Sequence, residues 1–142
     1  MIVFCDTSAL MKLYAQEQYS DWTRQLVLTH ARCVVSQIIW VEMCAALALK
    51  GKTYQLSSIE VGAAMDRLTS EWAGFSQLTL DNSLIDSAGQ LAMSLGLRAY
   101  DSVQLACAQR TRSQVGGNMR FLCFDKQLNA AAKALGILTL EP

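Results

Sequence analysis

Two aspartates follow short apolar segments near opposite ends of the chain. Asp6 comes directly after residues 2–5, and Asp125 comes directly after residues 121–124. Such short apolar runs are typical of buried strands in a parallel sheet, whose ligands collect beyond the carboxyl ends of the strands. Because two like charges at one crevice repel each other, a divalent cation is the expected neutralising partner. The pair therefore predicts a magnesium-type site.

Two further acids have sequence environments that allow a role in the same site. Glu42 is the lone acid of the apolar segment 38–47, where an ionised carboxylate is costly unless it is paired or bound to a metal. It is either functional or placed on a narrow exposed edge. Asp101 stands at the expected start of a helix, where it could equally be an N-cap or a partner of the helix dipole. Taken singly, both acids are explained by a structural role.

The elements that must position these acids alternate along the chain between strands and helices. The apolar segments that predict strands are 2–5, 33–36, 75–80, 121–124 and 137–140. This alternation indicates an α/β fold with a central parallel sheet of about five strands flanked by helices. Since the only proline is Pro142 and no Gly/Ser linker interrupts the chain, we expect one domain over residues 1–142.

Three helices have boundaries that can be predicted from their end residues. Capping signals begin them, and left-handed glycine stops close two of them. They run from Ser57, in a capping-box spacing with Glu60, to Trp72; from a cap at Asp81 to Gly96; and from about Lys126 to Gly136.

The composition narrows the class of protein. Hydrophobic residues make up 52% of the chain and charged residues 17%, yet no apolar run reaches the roughly 18 residues that span a bilayer. The N-terminus shows no basic segment followed by a cleavable apolar one, so we expect a cytoplasmic protein without a membrane contact. The five cysteines form no C-x-x-C pair, which makes a zinc site or a disulfide framework an unfavoured interpretation.

Charge alone gives little reason to expect nucleic-acid binding. The net charge is +0, but residues 98–133 contain six basic and two acidic side chains. Such a local cluster can bind a polyanion or can simply be a solvated face. From charge alone the solvated face is slightly favoured.

Four segments, in their order and spacing, resemble the PIN-domain ribonucleases and, within them, the VapC-type toxins of prokaryotic toxin-antitoxin pairs. Together they cover nearly the whole chain, although no one of them is decisive. They are 6–10 (DTSAL) with 12–14 (KLY), 41–42 (VE) with 45–47 (AAL), 97–101 (LRAYD) with 105–106 (LA), and 124–128 (FDKQL) with 131–132 (AA) and 135–136 (LG).

The resemblance implies a PIN-like domain in which four acids gather into one pocket that holds one or two Mg²⁺ (or Mn²⁺) ions. The four acids are Asp6, Glu42, Asp101 and Asp125. The implied reaction is hydrolysis of RNA phosphodiesters by a metal-activated water, with the metal also neutralising phosphate charge. No histidine base is needed, which agrees with a single histidine, His30, that we interpret as a surface or helix-end residue.

Several residues near the acids have secondary roles in this hypothesis. Thr7 or Ser8 could hold a water or orient Asp6, although either hydroxyl could equally cap the helix after the first strand. Asp81 also follows an apolar strand, but its context favours helix capping. Basic residues around the pocket could follow an RNA backbone. They are Lys12, Arg98, Arg110, Arg112 and Lys126.

The resemblance further implies an antitoxin protein that holds the enzyme inactive, and a homodimer. Two other functions compete with this one. A non-catalytic PIN-like RNA-binding module would keep the fold without the metal, although the presence of all four carboxylates argues against it. A phosphoryl-transfer enzyme of the haloacid dehalogenase type could use Asp6 as a nucleophile, but that class requires an aspartate two positions later, where this chain has Ser8.

Overall fold

The computed structural model describes residues 1–142, except for the side chain of His30. Five strands are separated along the chain by one or two of the seven α-helices, with short 3₁₀ turns at Trp72–Gly74 and Gly116–Asn118. The strands are β1 Ile2–Cys5, β2 Arg32–Ser36, β3 Ser76–Leu78, β4 Met119–Leu122 and β5 Thr139–Leu140. The helices are α1 Thr7–Tyr14, α2 Ser20–His30, α3 Ile39–Lys52, α4 Ser58–Glu71, α5 Asn82–Leu95, α6 Ala99–Val115 and α7 Lys126–Ala134.

The strands form one sheet in the order β3-β2-β1-β4-β5, and all neighbouring strands are parallel. The predicted α/β fold with a parallel sheet of about five strands is therefore confirmed. Strand order reverses at β1, because the chain first builds β2 and β3 on one side and later β4 and β5 on the other. Crevices at such a switch point, beyond the carboxyl ends of the strands, are where open α/β sheets bind ligands.

Helices cover both faces of the sheet because strand side chains alternate between its two sides. In β1, Val3 and Cys5 belong to the apolar cluster that also contains buried residues of α1 to α4. Phe4 points the other way and packs with buried residues of α5, α6 and α7. The central strand is therefore buried on both faces, which explains why its sequence is apolar without interruption.

The predicted position of the fourth strand is wrong by two residues. Residues 121–124 were expected to form it, whereas β4 is Met119–Leu122. The register with β1 explains the difference, since Ile2 pairs with Met119 and Cys5 pairs with Leu122. Beyond that pair, the backbone N–H of Asp6 still donates to Leu122 O at 3.2 Å. Asp125 thus lies on a short connection after the strand, at the N-terminus of α7.

The other strand boundaries differ less from the predictions. The third and fifth strands are shorter than the apolar segments 75–80 and 137–140, because only Ser76–Leu78 and Thr139–Leu140 pair with neighbouring strands. Both form the edges of the sheet. An edge strand has one neighbour, and the pairing of both strands ends with the last residue of that neighbour, Ser36 in β2 and Leu122 in β4.

The predicted helix boundaries are confirmed. The capping box of α4 is present in full, with reciprocal hydrogen bonds between Ser57 and Glu60. Asp81 caps α5 by accepting from the backbone N–H of Leu84 at 2.8 Å, and Gly96 ends that helix at a φ of +64°. None of the helices described over residues 1–142 is long and apolar enough to cross a membrane.

Candidate active site

Asp6 lies at the carboxyl end of the central strand, where β1 turns into α1. Its Oδ1 accepts hydrogen bonds from the backbone N–H of Ala9 at 3.0 Å and from the Ser8 hydroxyl at 2.7 Å. The thiol of Cys123 donates to its Oδ2 at 3.1 Å. The carboxylate is therefore both the N-cap of α1 and a fixed acidic group at the switch point of the sheet.

The Asp6 side chain is almost entirely buried, with 5% of the residue exposed. The pKa of Asp6 is raised to about 6, mainly by burial and to a smaller extent by the negative charge of Glu42, despite the hydrogen bonds from Ser8, Cys123 and Ala9. A carboxylate that is hard to ionise by itself is one that a cation would stabilise strongly.

Asp101 and Asp125 are held near each other by one arginine. Arg98 Nε donates to Asp101 Oδ2 at 3.0 Å, and Arg98 Nη2 lies 3.8 Å from Asp125 Oδ2. Asp101 is in the first turn of α6, and Asp125 caps α7 by accepting from the N–H of Leu128 at 2.9 Å. The two helices therefore present their acidic N-termini to the same cationic side chain.

Glu42 joins the acids from the first turn of α3. Its Oε1 accepts a hydrogen bond of 2.8 Å from the Gln104 side chain on α6. Burial raises the pKa of Glu42, the Gln104 amide and the Thr7 hydroxyl lower it, and the charge of Asp101 raises it again. The charge of Asp101 therefore raises the pKa of Glu42, as the charge of Glu42 raises the pKa of Asp6.

The four predicted acids are neighbours, but they do not form an assembled coordination sphere. Among the described residues, no group of three or more His, Cys, Asp or Glu side chains is already close enough together to hold a metal ion. Each carboxylate is instead engaged by another side chain, since Ser8 donates to Asp6 and Gln104 donates to Glu42. Arg98 contacts both Asp101 and Asp125. Side-chain movement would be needed to bring them onto one ion.

The chemistry of the pocket nevertheless fits a hard divalent cation. All four acids offer carboxylate oxygens, which Mg²⁺ and Mn²⁺ prefer. The buried hydroxyl of Thr7 has no hydrogen-bond partner within the described residues, although buried polar groups are normally satisfied. It lies near enough to Glu42 to lower the pKa of that acid without completing a hydrogen bond to it. Thr7 is also the residue after Asp6 in the chain, so a water bound to such an ion would give its hydroxyl a hydrogen-bond partner.

Comparisons with known proteins decide the family. The PIN domain family model matches residues 3–134. The chain belongs to the PIN-domain family. The resemblance seen in the sequence is thereby confirmed, and the match leaves the haloacid dehalogenase alternative without support.

Curated and solved relatives of this PIN domain agree with the match. The chain is 30% identical over 140 residues to Ribonuclease VapC46 of Mycobacterium tuberculosis, and the alignment covers 99% of this chain and 97% of the relative. The crystal structure of M. tuberculosis VapC20, a toxin that cleaves the sarcin-ricin loop, superposes with a TM-score of 0.70 at 14% identity, covering 99% of both chains. A toxin-antitoxin complex from Klebsiella pneumoniae gives a TM-score of 0.67 at 16% identity, covering 99% of this chain and 97% of that one.

The predicted basic residues of this PIN domain lie at different distances from the acids. Arg98 contacts two of them, and Lys126 is exposed directly beside Asp125. The ammonium nitrogen of Lys12 is 3.0 Å from Glu17 Oε1 and lies over the ring of Phe124, 4.4 Å from the ring centroid. It is close to the pocket but is largely buried.

Arg110 and Arg112 lie farther along α6, away from Asp101. At a rise of about 1.5 Å per residue, they are roughly 14 and 16 Å along the axis from that acid. Arg110 binds Asp81 at 2.7 Å, and Arg112 donates to the carbonyl of Leu135 at 3.1 Å. Both guanidinium groups are engaged by local partners.

Two pocket residues were not identified from the sequence. Gln104 donates to Glu42, and Cys123 donates its thiol to Asp6. A signal for Gln104 existed, since it is a polar residue within the otherwise small and apolar stretch that follows Asp101. For Cys123 there was none, because a cysteine in an apolar run has the sequence pattern of a core residue.

Proposed function

We propose that this chain is a metal-dependent endoribonuclease and the toxin of a type II toxin-antitoxin pair, acting in the cytoplasm. The observation that carries the proposal is the convergence of Asp6, Glu42, Asp101 and Asp125 beyond the carboxyl ends of the central strands. The 30% identity to a ribonuclease over nearly the full length supports the same activity. We propose further that residues 1–142 form a single domain.

The four acids would hold one or two Mg²⁺ (or Mn²⁺) ions. When bound, such an ion lowers the pKa of a water and neutralises charge on the phosphate. Asp6 is the central ligand of the proposal because burial and the charge of Glu42 oppose its ionisation without a cation. The side chain of Asp125 is 36% exposed, against 21% for Asp101, and suits a peripheral or water-mediated role.

Two hydroxyls beside Asp6 have separate proposed tasks. Ser8 orients the carboxylate, since it donates to Oδ1 at 2.7 Å. Thr7 holds a water, because its buried oxygen is without a partner among the described residues. Neither hydroxyl needs to act as a base.

The proposed RNA contacts follow the placement of the basic side chains. Arg98 and Lys126 lie at the acids and would bind the phosphates next to the scissile bond. Lys12 lies behind them, beside Phe124. Arg110 and Arg112 would reach only an RNA that continues along α6. Backbone contacts of this kind position RNA without reading its sequence.

The proposed partners are a cognate antitoxin protein and a second copy of the chain. The similarity to a solved toxin-antitoxin complex supports the first. Several large apolar side chains on α3, α4 and the turn between them are exposed, which suits burial against another protein. They are Val41, Leu49, Tyr54 and Ile59.

The test is cleavage of a mixed RNA substrate by the purified chain with Mg²⁺ or Mn²⁺. We expect cleavage that disappears with EDTA and in the Asp6→Asn variant. Cleavage that persists in both would belong to a contaminant, and the absence of cleavage by the wild-type protein would favour the non-catalytic RNA-binding module instead. Gel filtration of the wild-type chain at known concentration tests the dimer.

A further inference from the structure

Gln104 is a buried polar residue that joins two elements of the pocket. Only 2% of it is exposed. Its Nε2 donates to Glu42 Oε1 at 2.8 Å, and its Oε1 accepts from the Ser36 hydroxyl at 3.1 Å. Ser36 is fully buried at the carboxyl end of β2. A continuous hydrogen-bonded chain therefore runs from the sheet through α6 to the acid on α3.

The direction of this chain is fixed by the chemistry of its ends. An ionised carboxylate only accepts hydrogen bonds, whereas a serine hydroxyl can donate or accept. The amide can satisfy both neighbours only when its nitrogen faces Glu42 and its oxygen faces Ser36. A reversed amide would set two acceptor oxygens against each other in a buried place, which is costly.

The same contact selects one oxygen of the Glu42 carboxylate. The hydrogen bonds among the described residues engage Oε1 and leave Oε2 without a donor. Glu42 has a long side chain with several rotatable bonds, so an anchored oxygen restricts where the other one can lie. A side chain anchored in this way loses less conformational freedom when it binds an ion.

We propose that Gln104 is a positioning residue that fixes the Glu42 carboxylate for a divalent cation through the chain from Ser36. This inference rests on the proposed function, because it assumes that Glu42 is a ligand. Outer partners of metal ligands typically change metal affinity by about 10-fold to 100-fold when they are removed. Gln104 acts through Glu42 and does not itself touch the ion.

A double-mutant cycle with Mn²⁺ as the probe tests the proposal. Mn²⁺ binding is measured by electron paramagnetic resonance or calorimetry in wild type, Gln104→Leu, Glu42→Gln and the double variant. We expect Gln104→Leu to weaken Mn²⁺ binding by about 10-fold or more. Added to Glu42→Gln, the same change should alter affinity by less than about twofold, because the carboxylate through which Gln104 acts is gone.

Two controls separate positioning from a general effect on folding. Gln114→Leu makes the same replacement at an exposed position farther along α6, and it should leave Mn²⁺ binding unchanged. Ser36→Ala removes the far end of the chain with little change in volume, and it should weaken Mn²⁺ binding severalfold only where Glu42 is intact. This second variant keeps the test open if Gln104→Leu does not fold, which thermal melting in EDTA would reveal.

The outcomes distinguish this inference from the proposed function. Equal losses with Glu42 intact and in the Glu42→Gln background, or unchanged Mn²⁺ binding in Gln104→Leu and Ser36→Ala, overturn the positioning role alone. A wild-type protein that binds Mn²⁺ with the expected coupling but does not cut RNA contradicts only the ribonuclease. A wild-type protein that binds no Mn²⁺ overturns both.

Discussion

The Ser8 hydroxyl donates a hydrogen bond of 2.7 Å to Asp6 Oδ1, two residues before it in the chain. The Ser8 oxygen in turn accepts a hydrogen bond of 2.8 Å from the backbone N–H of Phe124. Ser8 thereby joins the segment after β1, which carries Asp6, to the segment after β4, which carries Asp125. The two aspartates of the opening prediction are linked by a serine that sequence reasoning could assign only as either a cap or an orienting residue.

Replacing Ser8 with alanine should lower both stability and metal affinity. The Phe124 N–H would lose its acceptor and Asp6 would lose a donor, so we expect a loss of about 1–3 kcal/mol in the free energy of unfolding. Urea unfolding in EDTA measures it. Ser94→Ala, which removes an exposed hydroxyl on α5 that donates to the carbonyl of Gln90, should stay within about 0.5 kcal/mol of wild type. Equal stability of the two variants would show that Ser8 does not link the segments.

Replacing Thr7 with valine should leave the stability of the metal-free protein almost unchanged but lower RNA cleavage. The Thr7 hydroxyl is buried without a partner among the described residues, so an apolar side chain of the same shape should leave unfolding in EDTA unchanged or slightly favour the native state. RNA cleavage should nevertheless fall, because the proposed water loses its acceptor or donor. Cleavage at the wild-type rate in Thr7→Val would remove this role.

The buried carboxylate of Asp6 should make metal-free stability fall as the pH rises. Its pKa is raised to about 6 in the folded chain, mainly by burial, so the folded state binds the proton more tightly than the unfolded state. The stabilisation is complete below pH 3.8, the ordinary pKa of the group, and is lost as the pH passes through about 6. The full loss corresponds to about 3 kcal/mol.

Asp6→Asn is the variant that isolates this effect. Between about pH 4 and 7 in EDTA, the variant should become progressively more stable relative to wild type, while Mg²⁺ should stabilise the wild type more than the variant. Urea unfolding at several pH values measures both. A stability difference that does not depend on pH would mean that burial does not raise the pKa of Asp6.

The fold could be predicted from the sequence because its signals are local. Apolar runs give the strands, and the capping residues Ser57 and Asp81 with the stop residue Gly96 give helix ends that the structure reproduces. The start of β4 could not be read from hydropathy, since the register with β1, which is a contact between distant segments, determines it. Local rules carry no information about such pairing.

The sequence predicts the acids of the site but not the polar residues that donate hydrogen bonds to them. Asp6 and Asp125 are recognisable because both follow apolar segments, whereas Glu42 and Asp101 were explained singly by structural roles and were favoured as ligands only through the family resemblance. Gln104 and Cys123 were missed because their partners lie 62 and 117 positions away in the chain. The arrangement that makes a common residue functional arises only after folding.

Asp81→Asn should leave RNA cleavage near the wild-type rate. Asp81 also follows an apolar strand, but it caps α5, and its pKa is lowered to about 2, chiefly by the hydrogen bond from Arg110. Asparagine caps helices equally well, so α5 should persist. Cleavage assays with matched protein concentrations measure the effect, and a loss as large as that of Asp6→Asn would place Asp81 among the ligands.

Arg98→Ala should separate RNA binding from metal binding. Arg98 is the guanidinium that contacts both Asp101 and Asp125, and its side chain is 79% exposed, so it can turn toward a phosphate. Without it, RNA should bind more weakly, and the dependence of log Kd on log salt should lose about 0.7 in slope for one phosphate contact. Mg²⁺ affinity should stay equal or increase, because a competing cation has left the acids.

The measurement is RNA binding at several salt concentrations in an Asp6→Asn background, which prevents cleavage. Arg112→Ala is the matched control, since its guanidinium is bound to Leu135 O farther along α6. It should change neither the affinity nor the slope for a short RNA. If both arginine variants reduce the slope equally, RNA runs along α6 and Arg98 has no special position. If Arg98→Ala weakens Mg²⁺ binding instead, the arginine holds Asp101 and Asp125 in place for the ion rather than competing with it.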